Sequence, residues 1–477
     1  MFLRKLTALI LGILFFHDST SQQVKLLAGP MLGYCEHKEV MFWLMTSGAR
    51  KIAIQYYPEK SAKQKEVVEI ELCDNTKDIQ QLKEEKTVKI ILKDLEPGVK
   101  YNYSVLLDGK EQKISYPLTF TTREIWEWRA PAPDFKFIAG SCNYVNDSAY
   151  DRPGNPYGQG TAIFNTMANA NANLMVWLGD NTYLREADYS SASGIAYRYA
   201  HTRKDKNMQR FFATQPNYAM WDDHDYGPDD ASKSYILKDV TKKTFIDYWC
   251  NKTYGENDKG IYTKVSYSDC EFYLTDGRSF RDDSRSIEAL NFPKTMLGAQ
   301  QLAWLKNELI TSRATFKFIC LGGQFLNENT KAECYNQYQE ERKEIIDFIT
   351  KNTISGVIFI TGDRHHSEVI KKERLANNKN IGSYTLYDIT SSPLSSGVDN
   401  ILNLSEKINP MRVEGTLAVK QNFCLFYVSG MPGERKILIR SIDKDNNTLW
   451  EQTLYQKDLM DSLPETTVTP RKKHQKK

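Results

Sequence analysis

Two hydrophobic rhythms divide this chain. Between residues 24 and about 122, apolar side chains come in short alternating runs: Val40-Met41-Phe42-Trp43-Leu44, Ile52-Ala53-Ile54-Gln55-Tyr56-Tyr57, then 67–72, 88–92, 101–107 and Leu118-Thr119-Phe120. Runs of this length, separated by turn residues, predict a β-sandwich. From residue 135 the rhythm changes to strands alternating with helices, which predicts a layered α/β unit. Strands are expected at 135–139, 174–178, 218–221, 272–275, 316–321, 357–361 and 384–389, and helices at 161–171, 241–249, 299–313 and 340–352. In the third of these helices Leu302, Leu305 and Leu309 fall on one face. Runs at 423–427, 437–442 and 449–455 read as antiparallel closing strands.

The division expected is therefore a sandwich over 22–122, a linker over 123–134 and an α/β unit over 135–460. The linker carries Trp126, Trp128 and Pro131-Ala132-Pro133, a composition that continues neither a strand nor a long helix. The ends are different in kind. Residues 1–21 combine Arg4 and Lys5 with an apolar core and small residues at 19 and 21, the pattern of a secretory signal peptide. Residues 461–477 form a basic tail expected to fray. No run reaches the ~20 apolar residues of a membrane span, so an exported protein in periplasm, cell surface or medium is expected, with association to the envelope open.

Charge excludes one function class. Of the formal +3, the last seven residues carry five positive charges and residues 1–21 a net one, which leaves the body at −3. A mildly acidic body lacks the broad basic face of a nucleic-acid binder. Eight cysteines permit disulfides in an exported protein, but their spacing does not pair them.

The chemistry gathers at strand ends. Four apolar runs stop at Gly140-Ser141-Cys142-Asn143-Tyr144, Gly179-Asp180-Asn181, Trp221-Asp222-Asp223-His224-Asp225 and Gly362-Asp363-Arg364-His365-His366. Taken singly, each reads as an ordinary turn, cap or buried thiol. Together they put thiol, phenol, carboxylate and imidazole at four strand tips, which a structural role does not require.

As an ordered set, with Tyr183, Tyr226-Gly227-Pro228 and Asp276-x-Arg278-x-x-Arg281, these motifs resemble the PhoD-like alkaline phosphatases and phosphodiesterases, a branch of the calcineurin-like metallophosphoesterases. The resemblance implies a four-layer α/β metallophosphoesterase sandwich with metals at its C-terminal strand edge. The segment Leu95-Glu96-Pro97-Gly98-Val99-Lys100-Tyr101-Asn102-Tyr103 resembles the corner of fibronectin type III and immunoglobulin-like domains, which implies such a domain in front. The resemblance to the PhoD-like phosphatases further implies Fe³⁺ held by Cys142, Tyr144, Asp180, Asp363 and His365, and Ca²⁺ beside it with Asp180 shared and Asp223 contributing. Thiolate and phenolate suit ferric iron, and extra carboxylates suit an oxygen-loving ion. Where the family commonly has Asn, this chain has Asp229-Asp230, an added charge expected to tighten calcium, repel a phosphate dianion and favour diesters.

The expected activity is hydrolysis of phosphate mono- or diesters by a metal-activated hydroxide. His224, with His366 second, is the candidate to orient the phosphate or protonate the leaving group. Arg278 and Arg281 are candidates to clamp phosphoryl oxygens, with Asp229 also at the substrate. Ser141 has no Gly-x-Ser-x-Gly elbow and is set aside as a nucleophile. The competing expectation is a catalytically degenerate extracellular binder of surface glycan or anionic polymer.

Overall fold

The computed structural model describes residues 24–72, 85–151, 153–284, 293–329, 333–373, 384–398 and 404–460. The leader expected at 1–21 and the tail expected at 461–477 lie outside the described residues.

The first unit pairs two antiparallel sheets. One orders Lys25–Cys35, Val40–Ser47 and Lys86–Leu92; the other orders Glu66–Glu71, Lys51–Pro58, Lys100–Leu107 and Lys110–Glu111, with Thr119–Thr121 also paired to Lys100–Leu107. The Glu96 N–H donates to the Tyr101 hydroxyl at 2.9 Å, which ties the strand to the turn before it. The unbroken apolar run at 40–45 has its own cause. Val40, Phe42 and Leu44 point into the sandwich core, while Trp43 and Met45 point the other way, into the core of the α/β unit. Both faces of this strand are thus buried, and the polar half of the usual alternation is missing. Trp43 donates its indole N–H to the Asp247 carbonyl at 2.9 Å and packs on Tyr248 at 5.7 Å between ring centroids. Trp43→Ala is expected to destabilise the whole protein by about 3–5 kcal/mol in denaturant melts. If the two units were energetically independent, only an early, partial transition would move.

The expected linker begins inside this interface. Arg123 pairs with Glu36 at 3.0 Å, donates to the Tyr218 hydroxyl at 3.0 Å and lies 5.3 Å from the Tyr267 ring centre.

The second unit stacks two six-stranded sheets. One runs Asn217–Met220, Leu174–Leu178, Phe135–Gly140, Asn422–Ser429, Lys436–Asp443, Thr448–Tyr455, its first three strands parallel. The other runs Thr263–Tyr267, Cys270–Leu274, Phe316–Leu321, Val357–Thr361, Thr385–Thr390, Glu368–Glu373, its four central strands parallel. Their inner faces meet through phenylalanines: Phe137 stacks on Phe426 at 4.3 Å and meets Phe272 at 4.9 Å and Phe318 at 5.1 Å across the gap. Helices cover the outer faces. Ile163–Asn169 and Lys206–Thr214 pack Phe164, Phe211 and Phe212 on Trp177, and Gly298–Thr311 buries Leu302, Leu305 and Leu309 as its periodicity requires.

Several elements were invisible to periodicity. Ala192–Arg203 buries Arg198, Thr202 and Arg203 beside its few apolar residues, so it has no apolar stripe. Glu368–Glu373 carries four charged residues of its six because it is an edge strand. All seven described cysteines are buried and unpaired.

Candidate active site

Both sheets end their parallel strands at one rim. There Phe135–Gly140 runs into Cys142, Leu174–Leu178 into Asp180, Asn217–Met220 into Asp222 and Asp223, and Val357–Thr361 into Asp363. Parallel neighbours send their C-terminal tips the same way, so four distant segments converge. The tips approach too closely for a side chain between them. A Cβ at Gly179 would sit 2.6 Å from Asp222 Cβ, and one at Gly322 would sit 2.3 Å from the Asp222 carboxylate.

Donor atoms gather there in linked groups. Cys142, Asp180 and His365 form one, Asp180, Asp223 and His224 a second, and Asp223, Asp230 and Glu333 a third, each with its atoms within 4.8 Å of one another. Asp180 belongs to the first two groups. Cys142 Sγ lies 3.5 Å from Asp180 Oδ2, and the Tyr183 hydroxyl donates to the same oxygen at 3.2 Å while lying 3.3 Å from His365 Nε2. His365 Nδ1 sits 2.6 Å from the Gly397 carbonyl, which makes Nδ1 the protonated nitrogen and leaves Nε2 a lone pair facing the group. Ser392 steadies both neighbours: its hydroxyl donates to Cys142 Sγ at 3.1 Å and accepts from the His365 N–H at 2.9 Å.

The backbone at these donors is strained. Cys142, Asp180, Asp363 and His365 have φ of 61°, 51°, 66° and 52°. A residue with a Cβ pays roughly 1–2 kcal/mol to sit there, and such strain persists where the surroundings over-determine it, as at functional sites.

Electrostatics favour cations. Burial pushes the Cys142 thiol up to about 11, with Asp363 adding to it. Burial and then the neighbouring Asp223 charge hold the Asp180 carboxyl well above the usual carboxylate range, and burial raises Asp363. His224 Nδ1 is buried with no hydrogen-bond partner; Asp223 Oδ1, 3.6 Å from Arg278 Nη2, likewise accepts no hydrogen bond. Thiol, phenol, imidazole and carboxylate in one group, and an oxygen-rich neighbour, form a donor set that fits two different cations.

Other expected site residues lie elsewhere. Tyr144 is not the phenol at the donors: its hydroxyl donates to Asp151 Oδ1 at 2.6 Å, and the Arg198 guanidinium lies 4.8 Å from its ring centre. Tyr183 takes that place, three residues after Asp180. His366 turns away from the rim, its Nε2 3.3 Å from Glu368, which Arg412 and Gln324 also bind. The turn at His365 sends consecutive side chains to opposite sides. Arg278 is not available as a clamp. Its Nε and Nη2 both lie 2.6 Å from Asp222 Oδ1, and Nη1 lies 2.9 Å from Glu333. Arg281 pairs with the same glutamate and packs over Tyr338.

His224 stays at the rim. Its N–H donates to Asp180 Oδ1 at 3.3 Å, its ring stacks on Tyr183 at 4.2 Å, and its Nε2 lies 3.4 Å from the exposed carboxylate of Asp229. The Asp230 N–H donates to Asp223 Oδ2 at 2.8 Å, and a hydrogen bond to Glu333, with partial burial, raises its carboxyl to about 8. Glu333 was beyond reach of motif reading, since it follows no strand end and carries no neighbouring signature.

Comparison with known proteins agrees with this architecture. The family model for the PhoD-like phosphatase matches residues 140–427, and a model described as a domain of unknown function (DUF7800) matches residues 23–125. Alkaline phosphatase D of Bacillus subtilis (strain 168) is 24% identical over 344 residues, 60% of this chain and 57% of that protein. The chain thus matches a little over half the length of that relative. The solved structure of PhoD superposes with a TM-score of 0.69 at 17% identity, covering 91% of each chain. A purple acid phosphatase from yellow lupin (Lupinus luteus) seeds superposes with a TM-score of 0.61 at 13% identity, covering 92% of this chain and 77% of the other. Those two likenesses establish the fold, an α/β sandwich, and with the family model matching more than half of its residues, the chain belongs to the PhoD-like phosphatases.

Proposed function

We propose that the protein is an exported, metal-dependent phosphoesterase acting on phosphate mono- or diesters. The observation that carries this reading is Asp180, a carboxylate shared between two donor groups at the meeting point of both sheets. In this proposal Cys142, Asp180, Tyr183 and His365, with Asp363 alongside, hold Fe³⁺, while the carboxylates of Asp180 and Asp223 hold Ca²⁺. When bound, the two cations neutralise phosphoryl oxygens and acidify a water molecule. The chain's own residues supply position. Tyr183 fixes the Asp180 oxygen and stacks against His224, and the His224 imidazole, with Asp229 as its carboxylate partner, orients the ester or gives a proton to the leaving oxygen. The exposed carboxylate of Asp229 at the rim adds charge that disfavours a dianion, which supports diesters over monoesters. A binding-only role leaves a strained thiol, phenol and imidazole constellation without use, so hydrolysis is preferred.

The same proposal includes export through a leader at 1–21, a fibronectin-III-like unit over 22–122, a linker at 123–134 and a phosphatase unit over 135–460. The test is expression from residue 22, metal analysis and assay of aryl phosphate mono- and diesters. Tyr183→Phe is expected to shift the visible absorption of a ferric site, and Tyr144→Phe to leave it in place. Turnover that survives complete chelation, in colourless and metal-free protein, refutes the reading.

A further inference from the structure

One loop of the phosphatase unit stands over the rim. The Gly158 N–H donates to Asn146 Oδ1 at 2.9 Å, its carbonyl accepts from Asn146 Nδ2 at 2.7 Å, and the Gln159 N–H donates to the Ser395 carbonyl at 2.8 Å. So pinned, the loop places Tyr157 at the mouth. Its ring meets Tyr144 edge-on at 4.9 Å and lies 5.9 Å from Tyr183 and 6.0 Å from His365, yet 44% of the residue is open to solvent.

Tyr157 is not required to hold its neighbours. Its hydroxyl lies 3.4 Å from both ring nitrogens of His365, long and undirected for a bond that would orient the imidazole. The Gly397 carbonyl already does that at 2.6 Å. The backbone instead supports the ring: a Cβ at Gly397 would come within 3.2 Å of the Tyr157 carbonyl and 3.7 Å of its ring. A pinned, half-open aromatic face therefore stands beside the imidazole that borders the first donor group.

We infer that Tyr157 contacts the alcohol portion of the ester and selects substrates whose leaving group carries a planar ring, aryl or heteroaromatic. This rests on the phosphoesterase reading above. With the phosphoryl group at the donors, a ring attached through the ester oxygen meets the open side of Tyr157 at ordinary aromatic packing distance. The ring does the work, and the hydroxyl is dispensable.

The experiment compares Tyr157→Ala and Tyr157→Phe with wild type on phenyl and ethyl phosphate esters. Each variant is referred to wild type on the same substrate, so the differing leaving-group reactivity cancels. Tyr157→Ala is expected to lower kcat/KM for the phenyl ester about tenfold, mostly through KM, and for the ethyl ester less than about twofold, while Tyr157→Phe matches wild type on both. Equal losses on both esters, or Phe as poor as Ala, overturn the inference. Thermal shifts of metal-loaded protein with phenylphosphonate and methylphosphonate give a second readout. Tyr157→Ala is expected to lose the extra shift given by the phenyl compound, and an unchanged difference overturns the inference. If wild type hydrolyses neither ester, the phosphoesterase reading fails, and the phosphonate shifts still decide on Tyr157.

Discussion

Asp180→Ala is expected to abolish both metal occupancy and turnover, a rate loss of about a thousandfold or more. Asp180 is the one carboxylate common to the two groups that also contain Cys142 and His224, so its removal weakens both at once. Loss of several kcal/mol of charge stabilisation translates to that factor at about 1.4 kcal/mol per tenfold. The opposite sign is expected for stability without metal. Asp180 is buried, and the charges of Asp223, Asp222 and Asp225 oppose its ionisation, so the metal-free variant should melt no lower than metal-free wild type, in line with the trade between site strain and stability. Metal analysis beside melting curves separates the two effects. Retention of both ions in Asp180→Ala would refute the shared-ligand role.

Arg278→Ala is expected to carry a large cost to folding. Arg278 lies between Asp222, Asp223 and Glu333 and is only 1% exposed. Burial works against its charge, but Asp222, Glu333 and Asp223 outweigh that and hold its pKa well above the ordinary value. Removing one partner of such a network strands buried carboxylates, at about 3–5 kcal/mol. Denaturant melts should show that loss, and Arg278→Lys should recover only part of it, because a point charge does not reproduce the forked geometry. A stable Arg278→Ala protein with raised KM would instead restore the clamp role that the spacing after Asp276 suggested.

That contrast shows where motif reading stopped. The motif Asp276-x-Arg278 was visible, but whether a guanidinium faces substrate or a carboxylate depends on Glu333, a residue more than fifty positions away that the fold carries to the rim. Tyr144 and Tyr183 pose the same problem. Both follow strand ends within ordered motifs, and composition cannot say which phenol points inward. Tyr144 is drawn off by Asp151, itself held by Arg185 at 2.9 Å. His366 is likewise claimed by Glu368 and Arg412. In each case a competing buried partner decided the orientation, because a buried polar group must satisfy its hydrogen bonds.

By itself, the sequence determined the two hydrophobic rhythms, the sandwich ahead of an α/β unit, and the strand ends that carry Cys142, Asp180, Asp223 and Asp363. Period and strand-end chemistry are local properties, written in neighbouring residues. Only the tertiary structure decided that the strand at 40–45 is buried on both faces, that Asp180 lies in two donor groups, that the hydroxyl of Tyr183 and not of Tyr144 lies against Asp180, and that Arg278 pairs with the acid cluster. Those outcomes depend on which distant groups compete for each side chain once water is excluded, and that competition exists only in the packed molecule.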